Sequence, residues 1–143
     1  MKDLTAFLVP DLVINHYGKQ YVVPPPSKDD GLLLAALNVV GVSTMDNALG
    51  AGDGSDPLER LTPTQRKLFE AAKDRDLGEI SLGRAYKQMV KDKIPGPHID
   101  QYAIYAMYYW VMGEDVADQI FTSMGEDAGP KDQKPSKSGP STE

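Results

Sequence analysis

Two β-prone runs, Leu12-Val13-Ile14 and Gln20-Tyr21-Val22-Val23, flank a polar segment containing Gly18, which predicts a hairpin. Pro24-Pro25-Pro26 ends the second strand, because proline has no N–H to give to a ladder. The pattern then turns helical. Ser27 stands as an N-cap with Asp30 in an acidic first turn, and Leu32 to about Val40 forms the first helix, with Gly41 as its stop. Thr62-Pro63-Thr64-Gln65 opens the next helix as a capping box, and Leu68, Phe69 and Ala72 form its apolar stripe.

A third helix is expected from about Ser81 to Asp92, with Leu82, Ala85, Tyr86, Met89 and Val90 on one face. Pro95-Gly96-Pro97 enforces a break. A long helix follows from about His98 to Met112, and after Gly113 a shorter one spans about Asp115 to Met124. From Glu126 to Glu143 there is no Leu, Ile, Val, Met or aromatic residue, so this segment cannot build a core. The expected organisation is a mainly α body over residues 1–125, with an N-terminal β-hairpin and about five helices. A disordered low-complexity tail over 126–143 follows it.

Composition narrows the classes. With 143 residues, 41% of them hydrophobic, the chain holds one domain with a modest core. No run reaches the roughly 18 apolar residues of a membrane span, and Asp3 and Asp11 bracket too few apolar residues for a signal peptide. The absence of cysteine excludes disulfides, thiolate metal sites and cysteine nucleophiles. An intracellular site of action is the expectation. The net charge of −6 is unevenly spread: residues 1–59 carry 3 Lys and Arg against 8 Asp and Glu, residues 60–93 carry 9 against 5, and residues 94–143 carry 3 against 8. A basic middle between acidic flanks favours steering of a partner or self-association, within a screening length of about 8–10 Å.

Candidate chemistry is sparse. Gly50 to Pro57 reads as a linker: no Gly-Lys-Ser/Thr follows its glycines, and a calcium loop starting at Asp53 would place Thr64 where a glutamate is needed. His16 and His98 read as surface histidines without metal-pair spacing. Glu114, Asp115 and Asp118 suit a helix N-terminus better than a catalytic carboxylate pair. There is no nucleophile elbow and no kinase set, so the expectation is a non-enzyme without cofactor or metal. Residues 61–81 loosely resemble a helix-turn-helix opening, with Arg84, Lys87 and Lys91 sharing a face. Glu70, Asp74, Asp76 and Glu79 crowd that region, and the charge balance argues against nucleic acid.

The uncharged aromatic segment from Tyr102 to Met112 carries the most apolar surface. One reading is a central helix packed on every side. The other is a partner-binding face of Tyr102, Tyr105, Tyr108, Tyr109, Trp110 and Met112, since Tyr and Trp are enriched in binding hot spots.

Several motifs in order resemble one family. They are the start Met1 to Leu8, Gly18-Lys19-Gln20-Tyr21, the Pro24-to-Ser27 entry into a leucine-rich helix, Leu82-Gly83-Arg84-Ala85-Tyr86-Lys87-Gln88-Met89, the aromatic helix with Trp110, and Gly113-Glu114-Asp115-Val116-Ala117. Over residues 1–125 the chain is similar to tail assembly chaperones of long non-contractile-tailed phages of actinobacterial hosts. That resemblance implies a non-enzymatic helper in virion assembly. Such chaperones bind the tape-measure protein, keep it soluble, recruit tail-tube subunits around it, act in the host cytoplasm and are not retained in the mature virion. It also implies a longer product made by programmed frameshifting, which would carry the tube-binding role. Gly129-Pro130-Lys131 can be encoded with the slippery pattern C-CCA-AAR, which makes these three residues the frameshift-site candidates. The alternatives are a head–tail connector or minor tail component, which would persist in virions, and a small DNA-binding regulator, which would bind duplex with a steep salt dependence.

Overall fold

In the computed structural model, which describes residues 1–128, a 3-10 turn at Thr5–Phe7 leads into the strands β1 (Leu12–His16) and β2 (Lys19–Val23). The helices α1 (Lys28–Ala48), α2 (Pro63–Ala71), α3 (Leu77–Leu82), α4 (Arg84–Lys91), α5 (Gly96–Met112) and α6 (Glu114–Ala128) follow, with a second 3-10 turn at Pro57–Arg60 before α2. The mainly α body with an N-terminal hairpin is the architecture that the residue pattern predicts. The described residues form six α-helices rather than about five, and α6 carries the body three residues past position 125. The expected tail beyond Ala128, with Gly129, Pro130 and Lys131, lies outside the described residues.

The strands are antiparallel, pairing Leu12 with Val23, Ile14 with Tyr21 and His16 with Lys19. Strand alternation puts Leu12, Ile14, Tyr21 and Val23 on the buried face and leaves Val13 and Val22 outside. The two-residue turn places Tyr17 at φ 49° and Gly18 at φ 91°, the positive pair that keeps a tight hairpin in register, and the Asn15 side chain accepts from the Gly18 N–H at 2.8 Å. Beneath the hairpin lie Leu82, Ala85 and Met89 of α3 and α4 and Ile99, Ala103 and Ala106 of α5. The two alanines let α5 approach its neighbours closely. Each fully buried Leu or Met contributes about 1.5–3 kcal/mol.

Three local expectations are corrected. Gly41 does not stop α1, which continues to Ala48. One exposed helical glycine costs only about 1 kcal/mol, and α1 packs against the 3-10 turn Pro57–Arg60, while Asn47 near its end donates to the Ser55 carbonyl. At 21 residues, with an 18-residue stretch of mean hydropathy 1.2, α1 is in fact long and apolar enough, by length and composition, to cross a membrane. Its Leu33, Leu34 and Ala36 are instead buried in the contacts that α1 makes with α2, α3 and α5.

The expected helix from Ser81 to Asp92 is two helices. Gly83, at φ 57° and ψ −134°, adopts a conformation that β-carbon sterics deny to other residues, so α3 ends and α4 leaves in a new direction. Val90 is turned to solvent at 51% exposure. Arg84, Lys87 and Lys91 therefore lie on α4, separate from α3. The segment read as a linker at 50–57 is anchored as well. Asn47 accepts from the Gly54 N–H and donates to the Ser55 carbonyl, each at 3.0 Å.

Candidate functional site

The helix α5 runs through the middle of the body, touching α1, α3 and α6. Its aromatic residues are shared between two clusters rather than presented on one face. Tyr102, Tyr105 and Tyr109 pack against the hairpin-side cluster and Tyr108 against the α1-side cluster, while Trp110 touches both. Only Met112, at 41% exposure, is open to solvent. Polar tips are tied internally. The Tyr102 hydroxyl shares a 2.6 Å hydrogen bond with His16 Nδ1, and the Tyr105 hydroxyl donates to Asp118 at 2.5 Å. Burial first, and then that bond to Asp118, pushes the Tyr105 phenol well above its ordinary range, so it stays a donor. The Trp110 indole N–H is buried without a hydrogen-bond partner.

The surface reading of His16 is corrected. His16 is half-buried, edge-on to Tyr102 with ring centroids 5.6 Å apart, and 5.8 Å from His98. His98 itself is exposed. Among the described residues, no group of three or more His, Asp or Glu is gathered as metal ligands would be. Glu114 and Asp115 occupy the first turn of α6, where they complement the helix dipole.

Two open grooves flank α5. The first is a cavity of about 440 Å³. Buried Leu33, Ile80 and Met107 make its floor, while half-buried Leu37, Phe69, Ala72 and Leu77 make its walls. Helices α1, α2, α3 and α5 all contribute to it. At its rim, Arg75 forks onto Asp30 with bonds of 2.8 and 3.2 Å and reaches Glu79 at 3.1 Å, tying α1 to the start of α3. The second groove, about 550 Å³, lies between Leu12, Val13 and Ile14 of β1, Tyr102 and Tyr105 of α5, and Glu114 and Phe121 of α6. The Phe121 ring meets Tyr105 edge-on, with centroids 5.2 Å apart.

Thus Tyr102 and Tyr105, both singled out in the sequence, line the second groove, whereas Tyr108, Tyr109, Trp110 and Met112 line neither. The walls of the first groove were not foreseen. The stripe of Leu68, Phe69 and Ala72 is visible in the sequence, but its separation from α1 is not a local property.

A family model described as "Domain of unknown function (DUF7426)" matches residues 2–143. The chain belongs to that family. Neither the curated proteins nor the solved structures yielded a match.

Proposed function

We propose that this protein is a phage tail assembly chaperone that holds apolar faces of tape-measure helices in the groove between α1 and α2. The observation that carries this reading is the groove itself. It is apolar on floor and walls, about 440 Å³ in volume, and open at the surface of a small helical body. An amphipathic helix recognises such a groove through a few apolar anchors spaced one helical turn apart. The order of motifs described above supports the choice of partner. In this reading the protein is a binding protein rather than an enzyme. It acts in the host cytoplasm and is left out of the finished particle. It is also the short product of a frameshifted gene pair, whose longer product engages the tail-tube protein.

Co-expression with the tape-measure protein encoded alongside it tests the reading. The expected result is that the chain co-purifies with tape-measure fragments and raises their soluble yield. Leu37→Asp and Phe69→Asp should abolish both effects while leaving the helical circular dichroism intact. A tape-measure protein that neither co-purifies nor gains solubility overturns the proposal. The nucleotide sequence across Gly129 to Lys131 tests the second product: a slippery heptamer with an overlapping open frame is expected, and ordinary codons with no such frame would remove it.

A further inference from the structure

We infer that the segment Met1–Val9 is a docking arm, and that its receptor is the groove between β1, α5 and α6 on a second copy of this chain. This inference stands on different residues from the chaperone reading and does not depend on it. Leu4, Phe7, Leu8 and Val9 are 60%, 82%, 66% and 63% exposed, and the 3-10 turn Thr5–Phe7 buries none of its residues. Four large apolar residues within six are thus open to solvent, and such a concentration of exposed apolar surface marks an interaction site.

The receptor is equally unfinished. Among the described residues, β1 pairs with β2 alone. Because His16 and Lys19 close the two-residue turn as a hydrogen-bonded pair, the alternation of an antiparallel ladder makes Ile14–Tyr21 and Leu12–Val23 the other bonded pairs. The N–H and C=O groups of Val13 and Asn15 therefore face the open edge, where an added strand would pair. Beside that edge lies the second groove, lined by Leu12, Val13, Tyr102, Tyr105 and Phe121, and Val13 is half exposed there. Glu114 borders the same groove, and Lys2 is the arm's cation.

Why a second copy's arm rather than the chain's own? To lie along its own β1, the arm would have to reverse at Pro10-Asp11. The two-residue turns that would fit between Val9 and Leu12 need a positive φ at their first central residue, here Pro10, and proline is held near −65°. The arm is also rooted at the groove, since only Asp11 separates Pro10 from Leu12. Across a two-fold axis each arm would start at the mouth of the groove that the other fills, which closes the assembly as a dimer.

Light scattering on the full chain over a range of concentrations tests this. A dimer of the 15.6 kDa chain is expected. Deletion of residues 2–9, Phe7→Asp or Val13→Asp should each give a monomer with unchanged circular dichroism, while Leu37→Asp in the other groove should leave the dimer intact. The chain has no native cysteine, so Phe7→Cys combined with Gln101→Cys, the latter at a residue of α5 that lines the second groove, provides a trap. A disulfide joining two chains is expected on oxidation. A monomer at every concentration, a dimer that survives loss of the arm, or a disulfide closed within one chain would each overturn the inference.

Discussion

The two sides of α5 are built to different standards. On the hairpin side, eleven buried residues form one cluster, against four on the α1 side. The hairpin side is also latched by side-chain hydrogen bonds. Tyr21 and Lys19 both donate to Asp92, at 2.6 and 2.5 Å, His16 is joined to Tyr102, and Tyr105 to Asp118. The α1 side has the Arg75–Asp30 fork at its rim and an apolar groove left open. One half of the molecule is a closely packed, latched frame, and the other keeps an open apolar groove. Regions with fewer buried apolar contacts open at lower free energy, and binding surfaces are drawn from them.

Truncation in the frame is the strongest way to break this comparison. Leu82→Ala and Met89→Ala, at positions with no exposure, should each cost about 2–5 kcal/mol in urea unfolding. Leu37→Ala, in the half-buried groove wall, should cost about 1 kcal/mol. The reverse order would mean that the α1 side is the real frame. Gly83→Ala comes next, at about 1–3 kcal/mol by thermal unfolding, because a side chain would be forced into φ 57° and ψ −134° with its Cβ 3.4 Å from Pro24.

Smaller effects sharpen the contrast. Thr62 and Gln65 form a reciprocal capping box, with bonds of 3.1 and 3.0 Å, at the start of the helix that walls the groove. Thr62→Ala should cost about 1 kcal/mol, and faster amide exchange in α2 than in α5 would place the loss on the groove side.

The smallest effect is a pH dependence on the frame side. Hydrogen bonds from Lys19 and then Tyr21 hold the Asp92 carboxyl below the usual carboxylate range. A carboxyl whose folded pKa lies below its unfolded value, about 4, adds stability above that value. The contribution is lost as the pH falls through the folded value. Wild-type stability should therefore drop more steeply below about pH 4 than that of Asp92→Asn. Parallel curves would show that the latch contributes nothing.

What the sequence determined by itself is what a few neighbouring residues decide. The alternation around Tyr17-Gly18 sets the hairpin, Ser27 and the Thr62–Gln65 box start α1 and α2, and Pro95 as N-cap with Pro97 in the first turn starts α5. Each rests on sterics or hydrogen bonds that close within about one turn.

Where the same local logic met a glycine, it chose wrongly twice. Gly41 was passed through because the contacts of α1 with Pro57–Arg60 and the bonds of Asn47 offset a small glycine cost, whereas at Gly83 the positive φ open to glycine let α4 leave α3 in a new direction. The sites belong wholly to tertiary structure. Tyr102 and Tyr105 became groove walls, and Leu37 came to face Phe69, because helices far apart in the chain stop a few ångströms short of filling the space between them. A groove is a mismatch between non-local surfaces, and no window of sequence contains both of its sides.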